Sequence, residues 1–237
     1  MLRQLVSGGF LILLSACSGM IPATQRNSTA ILPEQILDDM IPGEDEFSPD
    51  LVYVSQKAQA ASGRYDKILL DPIIYFAPLG QPRRIGPSDR QTLLNNFQVL
   101  MGRQLKKDFL LALEPLQGTV RVQFAILPAT REPVAMDTVA MVARVDPSEE
   151  VVTDALASPI IAGPDLLIEA KWTDAVTGEL LGATVDSHFG QASFDGTRLE
   201  NWADVNRYLE SYATLIRYRL CRFRALENCM PPRPPLG

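Results

Sequence analysis

Apolar side chains recur along this chain with two spacings, every second residue in some stretches and every third or fourth in others. Thr119 to Leu127 alternates: Val120, Val122, Phe124 and Ile126 point one way, Arg121 and Gln123 the other, which predicts a half-buried strand. Leu166 to Thr173 alternates as well, with Leu166, Ile168, Ala170 and Trp172 on one face. Asp174-Ala175-Val176-Thr177-Gly178 then supplies a turn, and Glu179 to Ser187 returns with Leu181, Ala183 and Val185 on one face. Gly178 takes the positive φ that such a loop demands, so this stretch predicts a β-hairpin. Tyr65 to Phe76 is a further extended run. In it, Ile68-Leu69-Leu70 and Ile73-Ile74-Tyr75-Phe76 flank Asp71-Pro72, and the proline predicts a bulge or an edge position.

The longer spacing predicts two helices. Ser88 is placed to cap the first, along which Leu93, Phe97, Leu100, Met101, Leu105, Phe109 and Ala112 recur. Lys106 and Lys107 fall late in it, where the helix dipole favours cations, and Glu114-Pro115 ends it. The second runs from about Asn201 to Ala225 through Trp202, Val205, Leu209, Tyr212, Ile216, Leu220 and Phe223. Arg207, Arg217, Arg219 and Arg222 lie on its other sides, and Pro231-Pro232-Arg233-Pro234-Pro235 forbids its continuation. Between Pro128 and Pro164 the pattern fits either a helical turn near Ser148 to Leu156 or a strand at Val139 to Val145.

This order predicts an α+β fold, a small mixed or antiparallel sheet of about four strands with two long helices packed on one face. The opposite face is expected to be polar, or to serve as a partner surface.

The first residues follow another logic. A lone Arg3 precedes an apolar run from Leu5 to Leu14, and small residues close it, the order of a secretory signal. The run is shorter than the roughly 20 residues that span a bilayer. Leu14-Ser15-Ala16-Cys17 resembles the lipobox of bacterial lipoproteins. That resemblance implies acyl chains such as palmitate on Cys17, and Ser18 implies sorting to the periplasmic side of the outer membrane. Residues 1–16 are then the signal peptide. Residues 17–47, with Ile21-Pro22, Leu32-Pro33, Ile41-Pro42 and Ser48-Pro49 at or near their span, read as a flexible tether. Such a tether of about 30 residues averages roughly 30 Å end to end. Pro33 is placed to start a short helix from Leu32 to Met40 within it. Residues 48–228 form the α+β domain and 229–237 a Pro-rich tail.

A net charge of −6 without a basic cluster disfavours nucleic acid as a partner. Hydrophobic residues make up 46% of the chain, enough to fill a core. With Cys17 acylated, Cys221 and Cys229 remain as a pair in an oxidising compartment, a candidate disulfide joining a helix end to the tail. His188, the single histidine, stands two residues from Asp186. The two read as a polar pair on the outer sheet face rather than a proton relay or half of a metal site. No nucleophile elbow and no phosphate-cradling glycine loop occurs. No catalytic residue, metal site or cofactor is therefore expected.

Three separated stretches also resemble one family. They are Tyr65-Asp66-Lys67-Ile68-Leu69-Leu70-Asp71-Pro72, then Ile168-Glu169-Ala170 leading into Asp174 to Leu181, and Trp202-Ala203-Asp204-Val205. Together they are similar to bacterial lipoproteins catalogued as domain of unknown function 3313. The resemblance brings no established reaction and no catalytic residues. The expected role is a membrane-anchored adaptor or assembly component that binds another envelope protein. The alternative is a module that binds a small apolar ligand such as a lipid.

Overall fold

The computed structural model describes residues 30–78, 86–128, 138–143, 166–186 and 202–232. Its strands are β1 (Ile41–Pro42), β2 (Leu51–Val54), β3 (Lys67–Leu70), β4 (Ile74–Pro78), β5 (Leu110–Leu111), β6 (Thr119–Pro128), β7 (Thr138–Val142), β8 (Leu166–Asp174) and β9 (Leu180–Asp186). The helices are α1 (Gln56–Ala61), α2 (Pro87–Leu105) and α3 (Trp202–Phe223), with 3-10 turns at Glu34–Asp39 and Ser62–Arg64.

Among the described residues nine strands form one mixed sheet in the order β1-β2-β9-β8-β6-β3-β5, with β4 joined to β6 and to β7. The expectation of about four strands is corrected. Strands of two to four residues such as β1, β2 and β5 are too short to show a period of their own. The β8–β9 hairpin forms as expected, with Gly178 at φ +73°. The strand at Val139 to Val145, left open by the sequence, is present as β7. Around Pro72 the chain takes four steps from Leu70 to Ile74 while β6 takes three from Val122 to Ala125, the extra residue of a bulge. β3 runs parallel to β6 because the α2 crossover lies between them.

Gly86, not Ser88, caps α2, with Pro87 in its first turn. The helix also stops at Leu105, short of the expected Ala112. Phe109 turns back into the core at helical spacing by coincidence, and Leu110-Leu111 pairs with β3. The two long helices share one sheet face, as expected, and run in the same direction. Asn96 donates to Asn206 at 2.8 Å, Gln104 to Glu210 at 3.3 Å, and Arg217 to Asp108 at 2.5 Å. Beneath them Val120, Val122, Phe124, Ile126, Ile168, Ala170 and Trp172 line the sheet. The rings of Phe97, Phe124 and Tyr212 fill the middle, with centroids 6.0 and 5.9 Å apart.

The opposite face departs most from expectation. Ala125, Leu127, Leu167, Ala183 and Val185 make it apolar, and Leu32, Ile36 and Met40 cover it. Residues 30–47, expected to belong to the tether, are thus a packed strap. The prolines are compatible with this packing: Pro33 precedes a 3-10 turn and Pro42 lies on the edge strand β1, both places that tolerate a missing donor. Burying a side chain of leucine size stabilises by about 1.5–3 kcal/mol, so three such residues hold the strap firmly. One face assignment also changes. The register shifts between Trp172↔Gly182 and Thr173↔Leu180, so Leu181 faces the helices while Ala183 and Val185 face the strap.

Candidate functional site

A buried carboxylate holds the strap at Ala30 and Ile31. Glu169 of β8 lies between Ala125 of β6 and Val185 of β9 on the strap side of the sheet. Its Oε2 accepts the backbone N–H groups of Ala30 at 2.8 Å and Ile31 at 3.0 Å. Burial pushes this carboxyl up to about 7, against the pull of those N–H donors and of Lys171. The place where the N-terminal segment joins the body is therefore a titratable clamp near neutral pH.

A second set of contacts carries residues 45–47 to α3. The Phe47 carbonyl accepts from Arg219 Nε at 2.5 Å, and the Asp45 carboxylate from Arg222 Nη1 at 2.6 Å. The Phe47 ring meets Tyr218 edge-on at 5.4 Å. Arg219 turns its two remaining nitrogens onto Asp186, Nη1 to Oδ2 and Nη2 to Oδ1, both at 2.9 Å. Tyr212 donates its hydroxyl to Asp186 Oδ2 at 2.8 Å. Asp186 is 1% exposed and the Arg219 side chain 8%, so the pair is removed from water. Burial beside that carboxylate holds the Tyr212 phenol well above its ordinary range. The Asp186 carboxylate outweighs burial and keeps Arg219 charged.

This corrects the reading of Asp186. It does not stand on the outer face but faces the helices, beneath α3, with both oxygens engaged. Such a carboxylate locks a strand to a helix. His188 lies outside the described residues, as does Cys17. Cys221 and Cys229 are joined by a disulfide with Cα atoms 5.6 Å apart, tying the last turn of α3 to the tail. Closing so short a loop stabilises by about 2 kcal/mol. Cys229→Ser is expected to leave the sandwich folded and to cost up to about that much, while trypsin cleaves faster after Arg224. Limited proteolysis and urea unfolding check both halves of this expectation.

Glu169, Arg219 and Asp45 were not singled out in the sequence. Glu169 left no distinct trace, because it alternates with Lys171 and Thr173 on what reads as the polar side of the strand. Arg219 and Asp45 left none, because their roles depend on contacts across more than a hundred residues.

These features define a class: an α+β domain with two parallel helices on one face of a mixed sheet and a clamped N-terminal strap on the other. The family model described as "Protein of unknown function (DUF3313)" matches residues 34–216, and the chain belongs to that family. The match takes in the strap turn, all nine described strands and most of α3. Searches of curated proteins and of solved structures give no match.

Proposed function

We propose that this chain is a lipoprotein anchored through Cys17 to the outer membrane on its periplasmic side, and that its folded body is a non-catalytic adaptor or assembly component of the envelope. The observation that carries this reading is Leu14-Ser15-Ala16-Cys17 after a short apolar run, 13 residues before Ala30, whose N–H Glu169 accepts. Those 13 residues reach at most about 45 Å, so the body works close to its anchor. The clamp at Glu169 passes any pull on the anchor into the middle of the sheet. The core between helices and sheet is occupied by the Phe97, Phe124 and Tyr212 rings, which favours an adaptor over a lipid carrier with its ligand held there.

Cys17→Ser is expected to move the protein from the membrane fraction to the periplasm or to leave it as uncleaved precursor. Intact mass of the native product should correspond to a diacylglyceryl-modified, N-acylated chain beginning at residue 17. An unmodified product beginning elsewhere would reject the anchor. Crosslinking in intact cells followed by mass spectrometry should capture a reproducible envelope protein. Lipid co-purifying with the unacylated protein, without such a partner, would favour the apolar-ligand module instead.

A further inference from the structure

Exposed apolar side chains gather at one end of the sandwich. That end is built by the starts of β3 and β6, which pair at Lys67↔Thr119, by β5 beside them, and by the β8–β9 turn. Ala175 N–H donates to the Thr119 carbonyl at 2.9 Å, which places the turn there. α2 also finishes there, and the Arg224 guanidinium, just beyond α3, lies 5.3 Å from the Phe109 ring centre. Of the seven large apolar residues exposed among the described residues, Leu110, Leu113, Leu116 and Val176 belong to this end. Leu113 is 93% exposed and Leu110 65%, values that serve no purpose in the core. Single exposed leucines are ordinary, but a cluster at one end marks a contact surface.

The charges around these side chains indicate what it contacts. Arg64, Arg103, Lys106 and Lys107 are exposed around this end, in a chain whose net charge is −6. Acids there are Glu114, Glu227, Glu179, which pairs with Lys57, and Asp66, which pairs with Lys67 at 2.8 Å. Apolar side chains ringed by lysine and arginine suit the boundary between acyl chains and anionic headgroups. The chain length permits this contact: Glu169, which holds Ala30, lies five residues along β8 from this end, or about 17 Å, and the segment from Cys17 to Ala30 spans more than twice that distance when extended.

We infer that this end is a membrane-docking face that lies on the bilayer holding the anchor, with Leu110, Leu113 and Leu116 entering the interface and Lys106 and Lys107 meeting anionic phosphates. The inference rests on the anchored reading above. It orients the body: the β8–β9 turn, β5 and the end of α2 face the lipid, and the start of α2 faces away.

The test uses the mature chain from residue 17 with Cys17→Ser, so that binding by the body is measured without acyl chains. It is expected to co-sediment with vesicles of phosphatidylethanolamine and phosphatidylglycerol, less with phosphatidylcholine vesicles, and less again in high salt. Leu110→Ser, Leu113→Ser and Leu116→Ser combined should weaken binding about tenfold or more, and Lys106→Glu with Lys107→Glu by a similar factor. These positions are exposed, and an unchanged melting temperature checks that the variants fold. A body that ignores vesicles, variants that bind as well as the parent, or crosslinks from these leucines to a protein instead of lipid would each overturn the docking face. An acylated native Cys17 together with a non-binding body sinks only this proposal. A binding body together with an unacylated native product sinks only the anchor.

Discussion

Arg219→Ala is expected to lower the unfolding free energy by about 3–5 kcal/mol, the largest loss for any single polar side chain described here. The reason lies in what remains behind. Asp186 is 1% exposed, and without its bidentate partner it keeps, among the described residues, the Tyr212 hydroxyl at 2.8 Å. A buried carboxylate stripped of its cation faces the full cost of lost hydration. The Phe47 carbonyl also loses its donor, so the loop that carries the strap round to α3 loosens in the same variant. Asp186→Asn should cost somewhat less, because a guanidinium still bonded to Phe47 retains one strong acceptor. The pair itself need not stabilise relative to apolar residues. Asp186→Leu with Arg219→Met should recover much of the loss, since neither charge is then buried. Urea unfolding followed by tryptophan fluorescence reads all three. Single-variant losses below about 1 kcal/mol would mean that water reaches the pair.

Glu169→Gln is expected to abolish a fall in stability between about pH 4.5 and 7. The sign follows from the direction of the shift. The ordinary carboxyl value is 4.5, and burial raises it to about 7 in the folded chain. Between those values the folded state holds a proton that the unfolded state has released. Stability from this group is therefore complete below pH 4.5 and is lost as pH rises to about 7. At about 1.4 kcal/mol per pH unit over 2.5 units the loss comes to about 3.5 kcal/mol. Glutamine keeps an oxygen for the Ala30 and Ile31 N–H groups without a charge to bury. The variant should match the parent at pH 5 and exceed it at pH 8. Parallel stability profiles for the two would show that Glu169 ionises freely in the folded state. Faster amide exchange at Ile31 above pH 7 in the parent would locate the loosening at the strap.

Local pattern was enough where each residue's fate depended on its near neighbours. Alternation through Val120, Val122, Phe124 and Ile126 determined β6, because period-2 burial is a property of the strand itself. The β8–β9 hairpin followed from two alternating runs and a glycine able to take positive φ. The register of α3 followed from apolar residues three and four apart. Cys221 and Cys229 needed only their count and spacing to be proposed as partners. Family membership was likewise legible in three short stretches.

Tertiary structure alone decided the rest. β1, β2 and β5 exist because longer strands offer free edges, and two-residue stretches carry no period to read. The end of α2 at Leu105 was hidden because Phe109 meets the core from a turn at the spacing a helix would have used. The strap was hidden because a proline-rich, acidic segment looks the same whether it is solvated or laid on an apolar face. What distinguishes the two is the complementary surface of Ala125, Leu127, Leu167, Ala183 and Val185, far along the chain. Glu169, Asp186 and Arg219 acquired their roles in the same way. Burial and partner geometry, not residue type, turn a charge into a clamp, and those are settled only when distant segments meet.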